Sequence, residues 1–389
     1  MLGLAGTGLT QAMVEADLQK ALDKPSLKLK TASANKIGEG KGFASNILRL
    51  EYEEASEGLP PSVVAKIPMD QKLDAIVEGF SNEANADSVS NFSSYISAMM
   101  PLFHLKECQL FDFFQKHPPK FPIPTIYRTQ PMVEGQFGYI LMSDLSEDMH
   151  LVDFGDDLNL HQTELMLDFL ADWTAYVYNH SEMHDMFPAF PDEMIGGAIA
   201  MMAGSYDKFV EAKPEYFQGK EWWMPAMSME GREEMEKATE EKYGIGRVLA
   251  HGDIHVNNLI FNSQGTQLRA VIDWTGVHSG CIMEDLSRIL LMMDVKTRQE
   301  HESELLKRFQ ARVAAQVPPE KAFRLVWPLV SISLDQLTGC FKEFWPLQIT
   351  FMVNLCAGFI PIFPTPEAKE KLFTRIRDLI DELNPAKKE

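Results

Sequence analysis

The densest group of reactive side chains is His251-Gly252-Asp253-Ile254-His255-Val256-Asn257-Asn258. It is followed by the apolar run Leu259-Ile260-Phe261, a turn over Asn262 to Gly265, and a strand from Leu268 to Ile272 that ends in Asp273-Trp274. Two strands joined by a short turn run out from Asn258 and back to Asp273, so both residues arrive at one end of a hairpin. An amide oxygen and a carboxylate brought together there suit a hard divalent cation, which takes oxygen ligands. Asp253, on the same loop just before Asn258, would face a reacting hydroxyl. Asp and Asn are also ordinary turn residues, and each alone fits that bland role. An Asp, an Asn, a hairpin and a second Asp in succession favour chemistry.

A second group lies far upstream. In Val63-Val64-Ala65-Lys66-Ile67 a lysine sits inside a β-branched strand, where its ammonium is costly to bury unless an anion meets it. An edge-strand lysine is the bland alternative. Just before this strand pair, Ile37-Gly38-Glu39-Gly40-Lys41-Gly42-Phe43 forms a glycine-rich turn whose backbone N–H groups can approach phosphate oxygens without a Cβ in the way. Such a turn is often only a turn, and its position before the lysine strand is what lends it weight.

The elements that must position these residues divide into two halves. A short helix around Thr10 to Leu22 leads into strands at Ile47 to Tyr52 and Val63 to Ile67, the latter stopped by Pro68. Helical spacing from Leu102 to Gln115 ends at Pro118 and Pro119, and Tyr139 to Met142 reads as another strand. Beyond it the periodicity is helical: Gln162 to Tyr178, Glu193 to Val210, Glu230 to Lys242, Arg298 to Val317 and Glu367 to Leu383. The expectation is an α+β, bilobal protein. Residues 1–143 would form an antiparallel sheet plus helix, residues 144–389 a larger and mostly helical lobe, with a hinge near Ser143 to Leu145.

Composition narrows the partners. A net charge of -20 argues against an electrostatic grip on nucleic acid or on an anionic membrane, both of which need clustered Lys and Arg. Cys108, Cys281, Cys340 and Cys356 are widely spaced and lack the close pairs of a disulfide scaffold or zinc site, which suits a reducing cytoplasm. The opening residues have no basic start and soon reach acidic side chains, unlike a signal peptide. Leu347 to Phe363 is apolar, but Gln348, Asn354, Gly358 and Pro361 interrupt it, so a buried core helix is expected instead of a membrane span.

Taken together, HGDIHVNN and VIDW resemble the phosphotransferase loop and metal-binding Asp of the choline-kinase-like and ecdysteroid-kinase-like (CHK kinase-like) branch of the kinase superfamily, which also includes aminoglycoside phosphotransferases. The resemblance runs over nearly the whole chain, in the order KGFASNILRLE, VVAKIP, FPIPTIY, HGDIHVNN, and is nearest to uncharacterised nematode members. It implies a protein-kinase-like fold and transfer of the γ-phosphoryl group of ATP to an alcohol with magnesium. Asp253 would be the catalytic base, and Asn258 and Asp273 the metal ligands. Gly38, Gly40 and Gly42 would cover the nucleotide, and Lys66 would reach its phosphates. Met142, Asp144 and Leu145 would form the adenine hinge, through main-chain groups more than through the Asp144 side chain. An acid on the following helix should pair with Lys66; Glu107 matches the family's helix motif and Glu83 competes with it. The long interval between Lys66 and Glu107 implies an insertion near Met69 to Met100. Asp285-Leu286 matches the pair that opens a helix and holds the loop, a structural role.

The acceptor stays open among an amino alcohol, a sterol and a glycoside. Tyr216, Phe217, Trp222 and Trp223, or Trp327, Phe341, Phe344 and Trp345, could cage a quaternary amine, although aromatics at helical spacing are usually core. The 22 methionines could instead line an apolar pocket. A catalytically silent pseudokinase is the alternative function, and it would be favoured had Lys66, Asp253, Asn258 or Asp273 been replaced. A protein kinase is disfavoured, since Asp153-Phe154-Gly155 lies far upstream of the Asp253 loop and no DFG follows it, APE is absent, and little chain separates Asp273 from Asp285.

Overall fold

The computed structural model describes residues 3–38, 45–52, 59–68, 80–81, 86–133, 136–153, 155–317, 333–363 and 365–387. Its first half is built on five strands, β1 (Thr31–Ile37), β2 (Ser45–Tyr52), β3 (Ser62–Pro68), β4 (Ile126–Gln130) and β5 (Tyr139–Ser143). They lie in the order β1-β2-β3-β5-β4, every neighbouring pair antiparallel. Alternation along each strand assigns the faces. Leu48 and Leu50 of β2, with Val63, Ala65 and Ile67 of β3, bury against Val14 and Leu18 of helix α1 (Gln11–Ala21). Lys66 therefore points to the other face. Helix α1 begins where expected because the Thr10 hydroxyl accepts the Met13 N–H at 3.3 Å.

Helix α2 (Ala86–Lys116) covers that other face and is longer than the sequence pattern indicated. Helical spacing was legible only from Leu102, but the helix already runs from Ala86, with Pro101 inside it. From Ala86 onward the inserted interval is thus an extension of this helix. Its early turns hold Phe92 so tightly against Gly197 that a Cβ there would lie 2.8 Å from the Phe92 ring.

The second half contains α3 (Leu160–Asn179), α4 (Asp192–Met202), α5 (Met229–Glu241), α6 (Ile282–Leu291), α7 (Val295–Gln316), α8 (Leu334–Phe359) and α9 (Pro366–Glu382). The helix expected over Glu193 to Val210 is broken at Gly204, whose φ of 74° ends α4, and a second short helix starts at Asp207. Helix α8 contains most of the apolar stretch that raised the membrane question. It is buried through Ile349, Val353 and Ala357, and no described helix is long and apolar enough to cross a membrane. The four cysteines are all buried and unpaired. Between α5 and α6 run the short strands β6 (Val248–Ala250), β7 (Leu259–Phe261), β8 (Leu268–Val271) and β9 (His278–Gly280), with β7 pairing β8 and β6 pairing β9.

The C-terminal half of α2 ties the two halves together. Phe114 packs edge-on against Trp173 and Trp274, with centroids 6.1 and 5.8 Å apart, and the Lys106 ammonium donates to the Val277 carbonyl at 3.3 Å. Just past β5, Asp144 ties the sheet strands to the chain that follows them. Its carboxylate accepts from Arg49 Nε on β2 and Ser62 Oγ on β3, both at 2.6 Å, and from the Ser146 N–H at 2.9 Å. The side chain thus carries more structure than the sequence suggested. Burial raises its pKa, but the bonds from Ser62, Ser146 and Arg49 outweigh that and hold it below 3.8. The stability it adds is present above that value and lost as pH falls through the folded pKa. Asp144→Asn should cost about 1–3 kcal/mol at pH 6. The deficit, read from urea melts, should shrink as the pH is lowered below 3.8.

Candidate functional site

The loop before β7 is held in shape mainly by groups other than the reactive ones. Asp285, in the first turns of α6, accepts the His251 N–H at 2.6 Å and the Gly252 N–H at 3.2 Å. It does not cap its own helix: Cys281 and Glu284 form that cap. The Arg288 guanidinium donates to the Gly252 carbonyl. Gly252 has φ 80°, and a Cβ there would meet the Gly276 carbonyl oxygen at 2.3 Å, so only glycine fits. The buried His251 takes the Asp253 N–H on Nδ1 at 3.2 Å, leaving Nε2 to donate to the Ile272 carbonyl at 3.1 Å.

Asp253 emerges from this frame with its carboxylate half-exposed. Burial of the loop raises its pKa, but His255, with Nε2 at 3.6 Å, and the more distant Arg288 outweigh that and hold it well below the usual carboxylate range. Asn258 donates its amide N–H to the Asp253 carbonyl at 2.8 Å, so the amide oxygen is the atom left to bind a cation. The Ile272 N–H bonds the Asn258 carbonyl at 3.0 Å, which brings Asp273 to the same end of the hairpin as Asn258.

Asp273 is a non-glycine residue in the left-handed region, at φ 63° and ψ 64°. Such a conformation costs on the order of 1–3 kcal/mol and persists only where its surroundings enforce it. Here Lys66 Nζ and Thr275 Oγ1 both donate to Oδ1, at 2.7 and 2.9 Å. Lys66 lies equally close to Glu107, with Nζ 2.8 Å from Oε1 and 2.7 Å from Oε2, and Glu107 Oε1 also accepts the Trp274 N–H at 3.0 Å. Burial pulls the lysine pKa down, but the two carboxylates outweigh it and keep the ammonium charged. Burial raises the Glu107 pKa, and Lys66 only partly offsets this. For Asp273 the attraction of Lys66 wins over burial.

The structure thus brings Lys66, Glu107, Asp273, Asn258 and Asp253 to one place. Glu83, Gly40, Gly42 and Trp327 lie outside the described residues. Gly38 adopts φ 69° with open space around it, and Met142, Asp144 and Leu145 follow one another at the end of β5. The described aromatics offered as a cage do not gather at this place. Tyr216 bonds Glu370, Trp222 is exposed, and Phe341 stacks with Trp345 in the core. Arg288 and His255 were not singled out from the sequence, and nothing in their spacing marked them.

Beside Gly252 opens a cavity of ≈ 210 Å³ walled by Met194, Met202, Met227, Met235, Phe190 and Phe351. Its polar side is formed by Arg232, His278, Glu284 and Arg288 together with Ser228 and Gln348.

An antiparallel five-stranded sheet, a helix inserted between β3 and β4 that presents an acid to a buried strand lysine, and a helical lobe with an Asp…Asn hairpin ending in Asp define the protein-kinase-like fold. The family model described as DUF1679, "Uncharacterized oxidoreductase dhs-27", matches residues 2–382, and the chain belongs to that family. It is similar to the Caenorhabditis elegans "Uncharacterized oxidoreductase dhs-27", at 24% identity over 328 residues, 81% of this chain and 38% of that protein. It is also similar to the C. elegans "Uncharacterized kinase-like protein D1044.1", at 24% over 194 residues, 49% of this chain and 50% of that protein. The matched stretches thus span half or less of either relative. The nematode kinase-like kinship drawn from the motifs is met by the second. Among solved structures, Plasmodium vivax ethanolamine kinase aligns at TM-score 0.38 and 10% identity over 95% of this chain and 88% of that one. Macrolide 2'-phosphotransferase MphH from Brachybacterium faecium aligns at 0.39 and 14%, over 95% and 98%.

The buried ion pair makes a stability prediction. Lys66→Met leaves Glu107 buried without its counterion and should cost about 3–5 kcal/mol in urea melts. In a cycle with Glu107→Leu, the double variant should lose less than the sum of the singles by about 1 kcal/mol or more. Additive losses would show that the two do not stabilise one another.

Proposed function

We propose that this chain is an ATP- and magnesium-dependent kinase that transfers the γ-phosphoryl group to the hydroxyl of a small-molecule alcohol. The observation that carries this reading is Lys66, buried and charged, held within 2.8 Å of both Glu107 and Asp273, with the carboxylate of Asp253 half-exposed on the neighbouring loop. An ammonium so placed can turn to the α- and β-phosphates while Glu107 keeps it extended. Residues 1–143 would hold the nucleotide and residues 144–389 the catalytic loop and acceptor. Gly38, Gly40 and Gly42 would cover the phosphates, and the main chain of Met142, Asp144 and Leu145 would meet adenine. The buried, unpaired cysteines are in keeping with a reducing, cytoplasmic location.

The residues fit magnesium. Asn258 has its amide oxygen left over once the nitrogen bonds Asp253, and Asp273 has Lys66 and Thr275 on Oδ1, leaving Oδ2. One carboxylate and one amide are few for a protein cage, but Mg²⁺ is commonly held by one or two carboxylates plus substrate phosphates. A cation there supplies charge neutralisation at the phosphate oxygens. Asp253 accepts the hydroxyl hydrogen and orients the oxygen toward the γ-phosphorus. The new O–P bond forms as the bond to the β,γ-bridging oxygen breaks, and the proton passes to Asp253. Because His255 holds that carboxylate at low pKa, Asp253 serves chiefly to orient the hydroxyl and takes the proton late.

The test is ATP consumption against a panel of amino alcohols, sterols and glycosides. Asp253→Ala should lower turnover at least about a hundredfold while nucleotide binding and melting temperature stay near wild type. Asn258→Ala and Asp273→Ala should raise the magnesium concentration needed, Asp273→Ala more steeply because it removes a full charge. Wild-type turnover in Asp253→Ala, or overlaid magnesium titrations, would overturn the assignment. Nucleotide binding without turnover of any acceptor would favour the pseudokinase reading.

A further inference from the structure

We propose that the methionine-walled cavity beside Gly252 is the acceptor site and that it selects a compact, uncharged alcohol with a mainly hydrocarbon body over a cationic amino alcohol. This rests on the kinase reading above, because it gives a substrate class to the same site. Gly252 lines the cavity and is the residue before Asp253, and Arg288, also in the lining, acts electrostatically on that carboxylate, so the cavity adjoins the Asp253 loop.

Three features set the selectivity. First, the wall is largely apolar, and Met194, Met202, Met227 and Met235 can adapt to an irregular hydrocarbon surface. Second, the charges on its polar side leave nothing to balance a ligand cation. The Glu284 carboxylate accepts the Cys281 N–H at 3.1 Å and lies 3.3 Å from His278 Nε2 and 3.9 Å from Arg232. That is the single carboxylate among the described lining residues, and it is already engaged; of the two guanidiniums there, Arg232 bonds Glu236 at 2.8 Å and Arg288 bonds the Gly252 carbonyl. Third, the aromatic rings among the described lining residues already face cations of the protein. The Lys106 ammonium is 4.7 Å from the Phe190 centroid, and His278 stacks on that ring at 4.1 Å. The Arg288 guanidinium is 5.3 Å from the Phe351 centroid. A quaternary ammonium needs open ring faces and a negative surround, and it finds neither.

Size adds a limit. The cavity measures ≈ 210 Å³. It lies below the roughly 300 Å³ at which pockets for drug-sized ligands begin. The probes are therefore benzyl alcohol and a monocyclic terpene alcohol, set against choline, ethanolamine and cholesterol.

Binding of each probe is measured by calorimetry on the full chain without nucleotide, and turnover is measured separately with ATP and magnesium. The neutral compact alcohols should bind at least tenfold more tightly than choline or ethanolamine, and they should show the higher kcat/KM. Ala198→Phe, which fills the cavity from α4, should weaken their binding at least tenfold and leave the nucleotide-induced rise in melting temperature unchanged. Should that variant not fold, Ile195→Phe fills the same space from the same helix. Choline or cholesterol binding as tightly as the compact neutral alcohols would overturn the proposal, and so would unchanged binding in a folded cavity-filling variant. Selective binding of the neutral alcohols with no turnover would support the cavity's preference and overturn the kinase reading instead.

Discussion

An ammonium ion cannot be buried alone, and much of this molecule follows from how Lys66 is accommodated. The lysine sits on the inner face of β3, almost fully enclosed, and stays charged because Glu107 and Asp273 approach it from two different elements. Removing a charge from water is expensive enough that both carboxylates must be in position together. That requirement sets where α2 lies on the sheet and how the β7–β8 hairpin presents its end. Glu107 meets a second demand by accepting the Trp274 N–H, which fixes the backbone on which Asp273 stands. The left-handed conformation of Asp273 is tolerated because the same contacts over-determine it.

Helix α2 transmits this constraint between the halves. One stretch of it gives Glu107 to the lysine, Lys106 to the Val277 carbonyl, and Phe114 to the cluster around Trp173 and Trp274. The N-terminal extension from Ala86 packs on α4, the helix that also supplies Met194 and Met202 to the cavity. The element that orders the lysine therefore also braces a wall of the proposed acceptor site. Arg288 has a comparable double position, since it bonds the Gly252 carbonyl and stands over Phe351 inside that cavity. Such sharing is economical but couples the loop's shape to the pocket's charge.

The reactive residues are framed by groups that do no chemistry. Asp285, His251 and Arg288 together take up the polar groups of His251, Gly252 and Asp253, so the loop is rigid before any ligand arrives. Preorganisation of this kind places Asp253 without relying on the substrate to order it.

The Asp253 loop, the hairpin and the strand lysine were legible in the sequence because their defining relations are local. Turn residues, β-branched runs and spacings of a few positions express themselves within one or two elements, and the α+β order of the chain follows from the same short-range periodicity. For the partners of Lys66, the family resemblance offered Glu107, which the structure places at 2.7–2.8 Å, with Glu83 competing, but nothing offered Asp273. Glu107 is 41 positions away and Asp273 is 207 away, and periodicity assigns a residue to a face without saying what that face meets. Only packing chose those contacts. The start of α2 escaped notice because polar residues and Pro101 mask its first turns, and α4 was read too long because Gly204 breaks an otherwise helical pattern. Of the described aromatics that suggested a cage, Phe217, Phe341, Phe344 and Trp345 are core residues, Tyr216 and Trp223 sit beside the protein's own cations, and Trp222 is exposed. By itself the sequence determined which candidate residues stand together on the loop and hairpin, since that depends on residue types at short spacing. Which charges meet, and what kind of cavity opens beside Asp253, were decided by tertiary structure, because burial and long-range neighbours govern both.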